Sequence, residues 1–138
     1  KRAAKLGIPS CCIKSKDEDR IINEFKWAGV ELIVLAGWMR IISKRLIEAF
    51  PNRIINIHPS LLPKHKGLNV IQRAMDAGDT VAGCTVHYVT EELDSGDIIK
   101  QGEVPILSDD TLETLTKRIQ RKEHCILPLA IEYVKHQI

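Results

Sequence analysis

The sequence predicts an α/β fold with an open, mostly parallel sheet and helices on both faces. Three observations support this prediction. Short apolar runs alternate with amphipathic helical segments, two extended runs (residues 81–89 and 98–104) follow each other later in the chain, and a long amphipathic segment comes last. Strand–helix alternation is typical of a parallel sheet covered by helices. The two consecutive extended runs, joined by an acidic turn, indicate an antiparallel addition near the C-terminal end.

The first elements are predicted from a helix-ending glycine and from the spacing of apolar residues. Residues 1–6 indicate the end of a helix, which Gly7 stops, and residues 8–13 indicate a short strand. Residues 17–28 carry apolar side chains at helical spacing. Residues 31–36 (ELIVLA) form an apolar run that suits a parallel strand buried on both faces. We expect one domain, residues 1–138, whose first strand, loop and helix are missing at the N-terminus.

The remaining elements are equally regular. Ser43 is placed to cap a short helix, and residues 53–57 form the next strand, which runs straight into His58. Residues 70–77 predict another short helix. Residues 111–136 predict a long helix that Pro128 kinks or divides.

Composition excludes several classes of protein. The net charge is only +2, with basic and acidic residues interspersed, which argues against a nucleic-acid partner. The apolar runs are too short to cross a membrane. Four cysteines without CxxC spacing indicate buried, reduced thiols of a cytoplasmic protein and disfavour a zinc site. Neither GxGxxG nor GxxxxGK[ST] occurs, and HExxH and GxSxG are also lacking.

Polar residues at the expected strand ends are the candidates for chemistry. Asn56 and His58 lie two apart in an extended segment, so their side chains project to the same side. An amide and a protonated imidazole there would stabilise a developing oxyanion. Asp94, in the loop after the next extended segment, would orient His58 or accept a proton through a water. Three loops leave the carboxyl ends of strands, where open α/β sheets bind ligands: residues 37–42, 56–67 and 89–97.

Each candidate also has a purely structural explanation. Asn56 and His58 could be a turn or capping pair, and Asp94 before Ser95 and Gly96 could be a turn residue. His87, within an alternating strand, is more typical of a packed histidine than of a catalyst. Residues 37–40 (GWMR) could form only a tight turn covering the end of the sheet.

Taken together, the motifs around the candidate residues favour a catalytic role over a purely structural one. Residues 56–63 (NIHPSLLP), Gly67 and residues 93–97 (LDSGD) resemble the formyltransferase superfamily that uses 10-formyltetrahydrofolate. Within it, residues 35–43 (LAGWMRIIS) and 83–89 (GCTVHYV) resemble the phosphoribosylglycinamide formyltransferase family. The resemblance covers nearly the whole chain and implies a Rossmann-like fold.

The resemblance implies direct transfer of a formyl group from 10-formyltetrahydrofolate to the amino group of glycinamide ribonucleotide, a step of de novo purine biosynthesis. Asn56 and His58 would stabilise the oxyanion and Asp94 would assist proton transfer, with no metal. Arg40 could instead be a structural ion pair. The folate would lie against Met39, Arg40, Ile41 and Ile42 on one side and residues 89–94, including Val89, Thr90 and Glu91, on the other. The nucleotide would contact Pro59, Gln120 and Glu123.

Departures from the family keep alternatives open. The family begins with a strand and a Gly/Ser/Asn-rich loop that receives the substrate phosphate, and nothing like it occurs here. The segment between Ile13 and Asp19 is shorter than the corresponding segment usually is in the family, and Asn69 stands where many relatives carry His. A transferase acting on initiator methionyl-tRNA, a hydrolase that deformylates the folate, and a folate-binding protein without turnover remain alternatives. We expect small-molecule partners only; the sequence is compatible with a homodimer and leaves the oligomeric state open.

Overall fold

The fold is described from a computed structural model, in which residues 1–38 and 40–138 are described. The chain divides into two compact units, residues 1–30 and 31–138. The first unit contains helix α1 (Arg2–Lys5) and helix α2 (Glu18–Trp27). Asp17 caps α2 by accepting a hydrogen bond from the backbone N–H of Arg20. The strand predicted for residues 8–13 is wrong: this segment is irregular, because no strand of the described residues pairs with it and extended propensity alone does not make a strand.

The second unit is built on a four-stranded mixed sheet. Its strands are β1 (Ile33–Ala36), β2 (Ile54–His58), β3 (Val81–Tyr88) and β4 (Ile98–Pro105), in the order β1-β2-β3-β4. The β1–β2 pair is parallel, whereas β2–β3 and β3–β4 are antiparallel. The α/β fold and the antiparallel addition are therefore confirmed, and among the described strands the sheet is mixed rather than mostly parallel, with one parallel pair. Strand β1 is buried only at Ile33 and ends exposed, so the predicted burial on both faces is wrong for this strand, which has a single neighbour among the described strands.

Three helices complete this unit: α3 (Lys44–Ala49), α4 (Val70–Asp76) and α5 (Leu112–Lys135). Ser43 Oγ accepts the backbone N–H of Leu46 and begins α3, as predicted. Thr111 caps α5. This helix runs continuously through Pro128, so the predicted division is wrong; the loss of one backbone donor is offset by the packing of the apolar stripe on either side of it.

The core lies between α5 and one face of the sheet, which α5 contacts at β3 and β4. Alternate strand residues supply the sheet side of the core and residues at helical spacing supply the helix side. Its buried members are Ile55, Ile57, Ala82, Cys84, Val86, Val104, Leu115, Ile119, Ile126, Ala130 and Val134. All four cysteines are free, and Cys84 is the one that is buried; the prediction that all would be buried is wrong, since Cys11, Cys12 and Cys125 are exposed. Burial raises the pKa of the Cys84 thiol to about 12.

Candidate active site

A row of polar side chains lies on the sheet positions that alternate with the core residues. Asn56 and His58 alternate with Ile55 and Ile57 along β2, as predicted. In the antiparallel register, Asn56 pairs with His87 and His58 pairs with Thr85, so these side chains meet across the two strands. His58, Thr85 and His87 are buried, and each must find hydrogen-bond partners there.

His58 is held by a backbone carbonyl of the following loop. Its Nε2 lies 2.9 Å from the carbonyl oxygen of His65. Because a carbonyl only accepts, Nε2 carries the hydrogen and donates it. The other ring nitrogen, Nδ1, faces Asp94 Oδ2 at 3.6 Å, and both side chains are 7% exposed. The ring is thus fixed with its Nδ1 facing a carboxylate.

Asp94 has both a turn role and a contact with the site. Its φ of 48° places it in the left-handed region, as a turn residue would be. Its carboxylate Oδ2 also accepts the backbone N–H of Gly67 at 2.9 Å. Gly67 has a φ of 87°, a conformation that suits glycine, and this explains why a glycine stands at that place in the motif. The two loops after β2 and β3 therefore meet at Asp94.

His87 is buried, as the sequence favoured, and it also contacts the candidate site residue Asn56. Its Nδ1 lies 2.9 Å from the Tyr88 carbonyl oxygen and so carries a hydrogen. Burial lowers the pKa of His87, which keeps the ring neutral and makes Nε2 an acceptor. Asn56 Nδ2 lies 3.3 Å from that Nε2 and donates to it. One indication of this contact was present in the sequence, the alternation of side chains along residues 81–89, which places His87 opposite Asn56 once the two strands are paired.

The three predicted strand-end loops enclose one pocket. It holds about 380 Å³ of space that opens to solvent. Asn56, His87 and Asp94 line it, and His58 adjoins it through Asp94. The other lining residues are Leu35, Trp38, Arg40, Ile41, Ile42, Val89, Thr90, Glu92 and Leu93.

Most of the residues predicted for the folate occupy this pocket. Arg40, Ile41 and Ile42 form part of one wall, and Val89 and Thr90 form part of another. Glu92 and Leu93, in the predicted segment 89–94, also line the pocket, whereas Glu91 is not part of the described lining. Met39 lies outside the described residues. Trp38, Leu35 and His87 were not predicted as lining residues.

The residues predicted for the nucleotide are separate from the pocket lining. Gln120 and Glu123 lie on α5, where Gln120 is exposed and burial raises the pKa of Glu123. Pro59 is half-buried directly after His58. A substrate that touches all three residues must therefore extend beyond the pocket itself.

The described part of the chain holds no group of three or more His, Cys, Asp or Glu side chains placed to bind a metal ion. In the same residues, no helix has the length and apolar character needed to cross a membrane.

Comparison with known proteins identifies the family. Residues 9–131 match the formyl transferase family. The chain belongs to this family. Over 137 residues it is 50% identical to the trifunctional purine biosynthetic protein adenosine-3 of Drosophila pseudoobscura pseudoobscura, with 94% of this chain and 10% of the relative covered. It is 42% identical over 139 residues to the phosphoribosylglycinamide formyltransferase of Haemophilus influenzae, covering 96% of this chain and 66% of that protein.

Solved structures of formyl transferases agree with the fold. The crystal structure of phosphoribosylglycinamide formyltransferase from Anaplasma phagocytophilum superposes with a TM-score of 0.92 at 42% identity, covering 97% of this chain and 67% of that one. The resemblance predicted from the motifs is therefore confirmed. The chain spans about a tenth of the insect relative and about two thirds of the bacterial one.

Proposed function

We propose that this formyl transferase chain carries the catalytic centre of an enzyme that moves a formyl group from 10-formyltetrahydrofolate to the amino group of glycinamide ribonucleotide, in de novo purine biosynthesis. The observation that carries the proposal is that Asn56 and Asp94 line one pocket and that Asp94 Oδ2 lies 3.6 Å from His58 Nδ1. The similarity to phosphoribosylglycinamide formyltransferases supports the same reaction.

The reaction needs stabilisation of charge and movement of one proton. The amine nitrogen attacks the formyl carbon, a new C–N bond forms, and the carbonyl oxygen becomes an oxyanion. The bond from that carbon to N10 of the folate then breaks, and the proton lost by the amine is balanced by the one that N10 gains. Donors aimed at the oxyanion and a nearby proton acceptor are the groups that lower such a barrier.

The described side chains fit these roles. The amide nitrogen of Asn56 has two hydrogens, one directed to His87 Nε2, so the second is available to the oxyanion. A protonated His58 would present its Nδ1–H beside Asp94, which lines the pocket. The Asp94 carboxylate stabilises that charged ring and takes the amine proton directly or through a water. The formyl group must therefore lie beside Asn56 and Asp94.

The rest of the pocket suits a pteridine. Ile41, Ile42 and Val89 supply apolar walls. A pteridine also needs in-plane hydrogen bonds, which we assign to the backbone of the two loops. The proposal assigns the folate to Arg40, Ile41, Ile42, Val89 and Thr90, with Glu92 and Leu93 beside them.

The nucleotide and the setting of the reaction complete the proposal. Pro59, Gln120 and Glu123 are assigned to glycinamide ribonucleotide, beyond the folate pocket. A cytoplasmic location is consistent with four free cysteines. The single domain expected from the sequence stays part of the proposal.

A formyl-transfer assay on the full-length protein tests the function. 10-Formyltetrahydrofolate is supplied with glycinamide ribonucleotide, then with water as the only acceptor, and release of tetrahydrofolate is followed. We expect release that depends on the nucleotide. Release without the nucleotide would replace the proposal with a hydrolase, and binding of the folate without release would replace it with a folate-binding protein.

A further inference from the structure

A second cluster of ionisable side chains lies next to the loop that follows β2. His65 Nε2 is 2.7 Å from Asp79 Oδ2, and Lys64 Nζ is 2.8 Å from Asp79 Oδ1. The side chains of His65 and Asp79 are 15% and 11% exposed, whereas that of Lys64 is 64% exposed. Hydrogen bonds from Lys64 and His65 lower the pKa of Asp79. Within the described lining of the pocket none of the three occurs, so this cluster does not share the pocket's contacts.

His65 has a backbone conformation that needs support. Its φ of 55° is left-handed, a region that histidine visits more often than most residues but still at a cost. The bond from its ring to Asp79 fixes the side chain. Its carbonyl oxygen then accepts the His58 Nε2 hydrogen at 2.9 Å. The single hydroxyl hydrogen of Ser60 is shared between this carbonyl, at 3.1 Å, and the nearer carbonyl of Lys64, at 2.6 Å. The orientation of His58 thus depends on a backbone carbonyl that a left-handed residue presents.

Asp79 is itself fixed to regular structure on both sides. Its backbone N–H donates to the Ala74 carbonyl at 3.1 Å and closes helix α4 after Gly78. The next carbonyl, that of Thr80, accepts the N–H of Ile106 at 2.9 Å, immediately before β3. The carboxylate therefore stands on a rigid base, in contrast to the loop residue that it holds.

We propose that Asp79 is a positioning residue: by anchoring the His65 ring, it holds the carbonyl that fixes His58 with Nδ1 facing Asp94. The path runs from the end of α4 through the Asp79 carboxylate, the His65 ring and the His65 carbonyl to the His58 ring. The kinetic consequence rests on the proposed function, because it assumes that His58 takes part in the reaction. The structural consequence does not.

The structural consequence is tested first, on folded protein without substrate. Nitrogen-15 NMR of the histidine rings reports which nitrogen of His58 carries the hydrogen. We expect the unchanged protein and Lys64→Ala to hold the Nε2–H form, and Asp79→Ala to show a mixture of both tautomers with faster exchange of that hydrogen. An unchanged His58 spectrum in Asp79→Ala would overturn the proposal, whatever the protein catalyses.

Steady-state kinetics on the full-length protein test the second consequence. A misplaced reacting group costs on the order of 10²-fold in rate, so Asp79→Ala should lower kcat by about that factor with little change in KM for either substrate. His65→Ala should give the same loss, and the double variant should be no slower than either single one. Lys64→Ala is the matched control, since it removes the exposed partner of the same carboxylate and should keep kcat near that of the unchanged protein.

Rescue separates positioning from general damage. His65→Gly removes the ring, but glycine adopts left-handed φ without penalty, so kcat should exceed that of His65→Ala. Should Asp79→Ala fail to fold, His65→Ala removes the same bond between ring and carboxylate from the other side, and its His58 spectrum gives the same test. Equal losses in Asp79→Ala and Lys64→Ala, or additive losses in the double variant, would overturn the proposal. No formyl transfer by the unchanged protein would instead overturn the proposed function and leave the NMR result to decide the positioning.

Discussion

Replacing Gly96 with alanine adds a single methyl group, and we expect it to lower kcat strongly while the protein still folds. A Cβ added there would overlap the carbonyl oxygen of Tyr88 and come within 2.7 Å of the carbonyl carbon, whereas real Cβ atoms keep beyond 3.0 Å. The obstacle is backbone, so it does not rotate away. Relief requires a shift on the order of 1 Å in the loop that carries Asp94 or in the end of β3, and such a shift costs on the order of 10²-fold in rate.

The Tyr88 carbonyl has a second function, which makes the effect specific to the site. It accepts the His87 Nδ1 hydrogen at 2.9 Å, and the Tyr88 N–H donates to the Asp97 carbonyl at 2.9 Å. Displacing this peptide therefore disturbs the histidine that holds Asn56 as well as the loop of Asp94. The free energy of unfolding should fall by only about 1 to 3 kcal/mol, as for other overpacked sites.

The assay compares Gly96→Ala with Asp97→Ala, whose side chain is exposed in the same loop. Formyl transfer is measured per folded molecule, with folding followed by circular dichroism and urea unfolding. We expect Gly96→Ala to lose about 10²-fold in kcat and Asp97→Ala to stay near the unchanged protein. A folded Gly96→Ala with unchanged kcat would refute the reasoning, because it would show that Asp94 need not be held where this loop places it.

Three further predictions use the same reasoning. Asn56→Ala removes one oxyanion donor and should lower kcat by roughly 10² to 10³; a folded variant with the normal rate would remove Asn56 from the proposed chemistry. Because burial lowers the pKa of His87 from its ordinary value of 6.5, the unfolded chain binds the proton more readily. The contribution of His87 to the free energy of unfolding should therefore be fully present above this ordinary pKa and should be lost as the pH falls below it. Urea unfolding at pH about 7.5 and about 5.5 measures the loss, and the difference in free energy of unfolding between the two pH values should be smaller in His87→Gln than in the unchanged protein. Leu115→Ala, at a fully buried position, should lower the free energy of unfolding by about 2 to 5 kcal/mol. The control is Leu129→Ala, 57% exposed on the same helix, which should change it by no more than about 0.5 kcal/mol. Equal urea midpoints in the two variants would contradict the placement of the core.

Local pattern was enough to predict most of the fold. The α2 segment and β3 have clear periodicity, 3.6 and 2 respectively, and their bounds were found within a residue or two. Residues 8–13 failed because a strand depends on a partner that composition does not reveal. Pro128 failed for a related reason, since the apolar stripe of α5 packs on the sheet on both sides of it.

Some of the candidate site residues could be predicted from the sequence and others could not. Asn56 and His58 were predictable together because they are two residues apart on one strand, and the motif that contains Asp94 is recognisable along the chain. His87 and Asp79 were not predicted as site residues, since their contacts depend on strand register and on a side chain reaching across 14 residues of sequence. Asp79 offered a weak signal, a carboxylate directly after a helix-ending glycine, but that signal fits a helix terminus equally well.

The position of the polar residues explains why stability and activity are linked in this protein. Asn56 and His58 alternate with core isoleucines, so their side chains enter a buried region and would destabilise the fold unless they were hydrogen-bonded. The partners come from loops: a carbonyl at His65, and Asp94 next to a backbone N–H at Gly67. The same hydrogen bonds that make the buried histidine tolerable also select its tautomer and aim Nδ1 at the carboxylate. A substitution that loosens either loop therefore removes stability and catalytic alignment together, and only a readout of the ring itself distinguishes the two losses.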